Sequence, residues 1–264
     1  MPYKHLRRTE EGPVATVILT RPDAHNALNA DLIDELKRCF EELAEDQETR
    51  VVVLAGEGRS FCAGADIGYM RETARLSYEE NLDEARRLAM MYWTIDESPK
   101  PVVAKVQGAA MGGGAGLLAV ADVVVADSEA RFAFSEIKLG IVPATISPVV
   151  VRKIGVSHAR ALFLTGERFS AQRAREIGLV HRVVSKDGLG EVVEEKIEEL
   201  LEGGPVAQAT LKGLLRRLET TEPMEAPGLT ARVISELRTG EEGQEGLAAF
   251  LEKRDPRWRS ERWA

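Results

Sequence analysis

Phe61-Cys62-Ala63-Gly64-Ala65-Asp66-Ile67 and, further along, Met111-Gly112-Gly113-Gly114-Ala115-Gly116 are the two stretches whose reading decides this chain. Each reads as a turn feeding a helix, where the first backbone N–H groups have no internal partner. Two such donors brought together can hold the negative charge that develops on a carbonyl oxygen when a proton leaves or a nucleophile adds. Gly64 permits a backbone turn that other residues resist. Asp66, at the start of the following helix, complements its dipole and can cap it. Three consecutive glycines cost backbone entropy, and a fold keeps them where chain or ligand comes very close. The second stretch has neither the lysine nor the hydroxyl of a phosphate-binding loop, and it does not match G-x-G-x-x-G. Just downstream lies Glu136, a carboxylate able to move a proton.

The rest of the chain narrows the function classes. Its 264 residues carry a formal charge of −8, with an isoelectric point near 5.3. Nucleic acid and anionic membrane are therefore not the expected partners. No window approaches the roughly 18 apolar residues of a membrane span. The segment 1–9 is polar and basic, unlike a secretory signal. Cys39 and Cys62 lack metal spacing, and His5, His25, His158 and His181 are scattered, so no metal site is expected. Two isolated cysteines fit a reduced, cytoplasmic protein.

Short, continuous β-branched runs at 14–19, 51–55, 102–106, 123–126, 131–134 and 180–184 read as strands covered on both faces. Between them, Asn29 caps a helix bearing Leu32, Leu36, Phe40 and Leu43 on one face. Ser77-x-x-Glu80 is a capping box opening a helix to about Ile95. Ser170 caps a short helix that Gly178 ends. After Val184 the pattern is wholly helical: 189–201, 205–218, roughly 223–237, and 242–253. This predicts an α/β core over 1–200 and a helical C-terminal region over 201–264. The tail from Asp255 carries Trp258, Trp263 and several arginines; it reads as a solvated tail, with docking of Trp258 as the alternative.

The order F-C-A-G-A-D-I, then G-x-x-x-G-G-G, then F-x-x-x-E-x-x-x-G-x-x-P resembles the crotonase family, the enoyl-CoA hydratase/isomerase superfamily. Further resemblance runs through Arg21–Asn29, Phe169–Val184 and Phe250–Arg254, covering nearly the whole chain. The resemblance implies a ClpP/crotonase fold of repeated ββα units. It also implies a homotrimer or homohexamer with the C-terminal helices packing between subunits. Ala65 and Gly113 become the oxyanion-hole donors, and Glu136 the acid/base group. Ala24, Ala63, Gly64, Asp66, Ile67 and Gly112 meet the CoA part of an acyl-CoA thioester substrate, with no separate cofactor. The acidic helix from Asp31 does not resemble the lysine-rich comb of the family's RNA-binding members. A non-catalytic acyl-CoA-binding protein is the remaining alternative from a different class.

One departure bears on the reaction. Two-glutamate hydratases carry their first carboxylate where this chain has Gly116, twenty residues before Glu136. Hydration through Glu136 alone, or 3-enoyl to 2-enoyl isomerisation with Glu136 as sole base, are the two readings left. The run Ser135–Pro148 and the glycine at 116 resemble a bacterial methylglutaconyl-CoA hydratase-like branch. A substrate with a distal carboxylate requires a cation in the pocket, for which Arg71, Arg75 and Arg152 are the candidates.

Overall fold

A computed structural model describes residues 2–259. Among them, in chain order, the strands are β1 (Leu6–Glu11), β2 (Val14–Leu19), β3 (Val51–Gly56), β4 (Val102–Val106), β5 (Ala109–Met111), β6 (Val123–Asp127), β7 (Arg131–Ala133), β8 (Arg168–Ser170) and β9 (Arg182–Val184). The helices of the core are α1 (Ala30–Glu45), α2 (Ile67–Thr73), α3 (Tyr78–Asp96), α4 (Gly113–Val120), α5 (Ser147–Thr165), α6 (Ala171–Glu176) and α7 (Leu189–Leu201). Three more, α8 (Pro205–Leu218), α9 (Ala226–Thr239) and α10 (Glu241–Glu252), follow it.

Six strands form one sheet in the order β1-β2-β3-β4-β6-β9, and β5-β7-β8 form a second. The β1–β2 pair is antiparallel, whereas β2, β3, β4, β6 and β9 run parallel. The units β4-β5-α4 and β6-β7-α5 each place their first strand in the large sheet and their second in the small one, the expected ββα repeat. Parallel strands are covered on both faces here, which is why their sequences do not alternate. On one face lies the main core, including Leu32, Leu36, Phe40 and Leu43 of α1 and Met91, Tyr92 and Ile95 of α3. On the other, Val14, Val51, Val53, Val103 and Val125 pack against Leu189, Val193 and Ile197 of α7.

The local signals act as their chemistry dictates. The Asn29 side chain accepts from the Leu32 N–H. Ser77 and Glu80 close a reciprocal capping box, and Ser170 accepts from Arg173 N–H. Trp258 docks: its Nε1 donates to the Glu202 carbonyl at 3.1 Å, and its own carbonyl accepts from Arg50 at 2.6 Å. Trp263 lies outside the described residues. No described helix is long and apolar enough to cross a membrane.

Candidate active site

Backbone lacing brings the two glycine stretches together. Cys62 N–H donates to the Ala109 carbonyl at 3.0 Å, and Met111 N–H donates to the Cys62 carbonyl at 3.0 Å. On the other edge of the first stretch, Leu28 N–H donates to Gly64 and Asp66 N–H donates to Leu28. Those two bonds engage the residues flanking Ala65, so the Ala65 N–H faces away from Leu28 and donates to no group among the described residues. Gly113 is the first residue of α4, so its N–H has no intrahelical acceptor. Ala65 and Gly113 both line one cavity of about 430 Å³.

The glycines are where atoms crowd. Gly64 has φ +95°, and a Cβ there would come within 2.9 Å of the Met111 carbonyl oxygen. Gly112 has φ +48°, and a Cβ there would meet Glu136 Oε1 at 2.8 Å. At Gly114 the obstacle is the Cys62 carbonyl, 2.2 Å away. The triplet thus answers to three neighbours: the Glu136 side chain at 112, Tyr92 and Leu28 at 113, and the other loop's backbone at 114.

Glu136 reaches the cavity from the third piece of chain. Gly112 N–H donates to the Ala133 carbonyl at the end of β7 at 2.8 Å, and a tight turn at Glu136–Leu139 follows, ended by Gly140 in the left-handed region. Glu136 Oε2 is buried and has no hydrogen-bond partner among the described residues. Burial raises its pKa above the ordinary glutamate value, outweighing the opposing effect of a backbone N–H. A desolvated carboxylate of this kind is a stronger base toward a carbon acid than one in water.

The place a second carboxylate would occupy is filled. A Cβ at Gly116 would lie 2.5 Å from Ile146 Cγ2 and 3.1 Å from Tyr92 Cε1. Both side chains are buried. Tyr92 donates its hydroxyl to the Gly113 carbonyl at 2.7 Å, holding the turn that presents the Gly113 N–H. Burial first, then the charges of Cys62 and Glu136 in their ionised forms, keep that phenol protonated.

Of the residues singled out from sequence, Ala63, Gly64, Ala65, Gly112, Gly113 and Glu136 line the one cavity. Ala24, Asp66 and Ile67 do not. The Asp66 side chain accepts from Gly68 and Tyr69 N–H as the cap of α2 and pairs with Arg21 at 2.8 Å. Burial pushes its pKa up, but those hydrogen bonds outweigh it and leave the carboxyl below its ordinary value. Ile67 is 70% exposed. Arg71, Arg75 and Arg152 are not in the lining either; Arg152 is held by Asp96 and Glu219. Sequence reasoning did not single out Tyr92, Ile146, Tyr69 or Glu84 as site residues. Tyr92 and Glu84 sit on α3, far along the chain from both stretches, whereas Tyr69 lies in α2 just past the first stretch and Ile146 just before α5; no local pattern at these positions pointed to a site.

Paired backbone donors beside a lone buried carboxylate define a site for moving protons next to a polarised carbonyl. The family model that matches the chain, over residues 9–261, is enoyl-CoA hydratase/isomerase. The chain is 33% identical over 251 residues to the short-chain-enoyl-CoA hydratase of Clostridium acetobutylicum, covering 93% of this chain and 94% of that protein. It is 34% identical over 244 residues to the 2,3-dehydroadipyl-CoA hydratase of Escherichia coli, with 92% and 94% covered. The crystal structure of an enoyl-CoA hydratase from Shewanella pealeana superposes with a TM-score of 0.94 at 39% identity, covering 97% of this chain and 96% of that one. The chain belongs to the enoyl-CoA hydratase/isomerase family and has its crotonase fold.

Proposed function

We propose that this protein reversibly hydrates a 2-enoyl-CoA thioester to the 3-hydroxyacyl-CoA. The observation that carries this is the convergence of the Ala65 and Gly113 N–H groups and the unpartnered Glu136 Oε2 on a single cavity. The two N–H groups bind the thioester oxygen and stabilise the enolate that forms as the β-carbon accepts water. Ionised Glu136 takes a proton from that water as its oxygen bonds to the β-carbon. The same carboxyl then delivers the proton to the α-carbon, so the thioester gains one water and Glu136 ends as it began. CoA arrives with the substrate, and no metal or redox group takes part. Hydratase names among the similar proteins support this reading.

A second reading rests on a specific observation: the position of a second carboxylate is Gly116, walled by Ile146 and Tyr92. Shifting a double bond from the 3- to the 2-position needs one base, which removes the α-proton and returns it at the γ-carbon. The deciding experiment incubates purified protein with crotonyl-CoA and with a 3-enoyl-CoA side by side. Loss of the conjugated enoyl absorbance from crotonyl-CoA is the expected result. Its appearance from the 3-enoyl thioester alone would replace hydration with isomerisation. Inertness toward both, with tight thioester binding, would leave a binding protein.

We further propose self-association through the C-terminal helices. None of the residues of α8 is buried, and Leu211, Leu215, Ile234, Phe250 and Leu251 are exposed. Such a surface fits a homotrimer or homohexamer better than a lone chain.

A further inference from the structure

The wall of the cavity formed by α2 and α3 carries charge of one sign. Tyr69, Asn81, Glu84 and Leu88 line it. Among the described residues, no lysine, arginine or histidine belongs to the lining of this cavity. Tyr69 donates its hydroxyl to Glu84 Oε2 at 3.0 Å. The other oxygen, Oε1, is held by the Arg87 guanidinium. Arg87 is shared in turn with Asp34, whose Oδ1 accepts from its Nε at 3.3 Å. Two carboxylates against one guanidinium leave the cluster with one net negative charge. The Glu84 side chain is only 22% exposed, so solvent screens it incompletely.

The acyl-CoA reading sets this wall at the acyl end of the cavity. It puts the thioester oxygen at Ala65 and Gly113 and the CoA arm past Ala63 and Gly64, which leaves the lining on α2 and α3, with Tyr69, Glu84 and Leu88, for the acyl chain. We propose that Glu84 determines specificity by rejecting acyl groups that end in a carboxylate, so that the preferred substrate has a neutral acyl terminus. This rests on the acyl-CoA reading above, and it reverses the distal-carboxylate expectation drawn from the resemblance of residues 135–148. A buried carboxylate with no cation to meet it is costly, and a like charge fixed opposite raises that cost. Repulsion built against the wrong ligand gives selectivity without tightening the right one. Tyr69 and Arg87 are positioning residues: by occupying both Glu84 oxygens they prevent the side chain from turning aside.

The test is calorimetric binding of unreactive, length-matched saturated thioesters: butyryl-CoA against succinyl-CoA, hexanoyl-CoA against adipyl-CoA, and octanoyl-CoA against suberyl-CoA. Saturated ligands make the result independent of whether the reaction is hydration or isomerisation. For at least one pair the neutral member should bind about tenfold tighter or more. Glu84→Gln should shrink that ratio to about threefold or less, by improving the dicarboxylyl ligand more than the neutral one. Arg87→Gln should move the ratio the other way, because it leaves Glu84 and Asp34 uncompensated; loss of packing alone would not give opposite signs in the two variants. Equal affinities within every pair, or a ratio unmoved by either substitution, would overturn the role of Glu84 alone. Failure to bind any thioester would overturn the proposed function together with it.

Discussion

Gly116→Ala separates packing from helix propensity with opposite signs. In an unobstructed helix interior this replacement stabilises by about 1 kcal/mol, because alanine loses less backbone entropy than glycine. Here the new carbon would sit 2.5 Å from Ile146 Cγ2 and 3.2 Å from Ile146 Cβ, with Tyr92 Cε1 at 3.1 Å. Tyr92 is 1% exposed with its hydroxyl held by Gly113, and Ile146, 2% exposed, can give way only by shifting into the cavity it lines. Overpacking of this kind costs about 1–3 kcal/mol. The net expectation is destabilisation by up to about 2 kcal/mol, seen as a fall in Tm of up to about 8 °C at 2–4 °C per kcal/mol for a chain of this size. Ile146→Ala alone opens a cavity and should cost about 2–5 kcal/mol. In the double variant the alanine at 116 has part of that cavity to occupy. The cycle should therefore show favourable coupling of about 1 kcal/mol or more. Scanning calorimetry on the four proteins gives all the terms. Stabilisation by Gly116→Ala alone, or additivity with Ile146→Ala, would refute the claim that these two side chains close the position. For the same reason Gly116→Glu should not gain hydratase activity in the wild-type background.

Glu136 must be ionised to take a proton, and burial raises its pKa, so the acid limb of kcat/KM should lie above the ordinary glutamate value of 4.5. A pH–rate profile showing full activity down to that value would contradict this. Gly112→Ala forces a side chain at φ +48° against Glu136 Oε1, 2.8 Å from the new carbon. Turnover should fall at least about tenfold through displacement of the carboxylate, with a stability loss of about 1–2 kcal/mol; kcat measured beside Tm separates the two effects. Arg21→Met breaks the partly buried pair with Asp66, whose side chains are 15% and 19% exposed. It should cost about 1.5–3 kcal/mol, the range for losing a hydrogen bond to a charged group, and raise KM by loosening the Ala63–Asp66 turn, read from denaturant unfolding and initial rates.

The large sheet was legible because parallel strands buried on both faces read as unbroken Val-rich runs, and β2 and β4 match their expected spans. Three strands were not. β1 carries Arg7, Arg8, Glu10 and Glu11, so its charges masked a strand that pairs only along one edge. β5 and β8 are three residues each and, unlike the equally short β7 and β9, carry no β-branched or aromatic run: β5 is Ala109-Ala110-Met111, leading into the glycine stretch, and β8 is Arg168-Phe169-Ser170, read only as the approach to a helix cap. α5 went unassigned because the run Val149-Val150-Val151 and Gly155 argue against a helix, and Pro148, which stands in its first turn, was not read as a start. The chain does leave helical geometry at Gly155, at φ +75°. The donors of the candidate site were legible because glycine leaves a mark wherever backbone must approach backbone. Tyr92, Tyr69 and Glu84 left none, since helix periodicity identifies a buried face without saying what it is buried against, and Ile146 stands just before α5, a helix the sequence did not announce. Likewise the cation needed for a distal carboxylate could be sought in sequence, but only the cavity lining shows that Arg71, Arg75 and Arg152 are not in it.

The central claim is that Glu136 is the sole proton carrier at this site, and Glu136→Gln tests it most directly. Glutamine keeps the shape and removes the base. Turnover of crotonyl-CoA should fall by about 100-fold or more, while the Kd for butyryl-CoA stays within about threefold of wild type. A variant that retains near-normal turnover would contradict the claim and remove Glu136 from the chemistry.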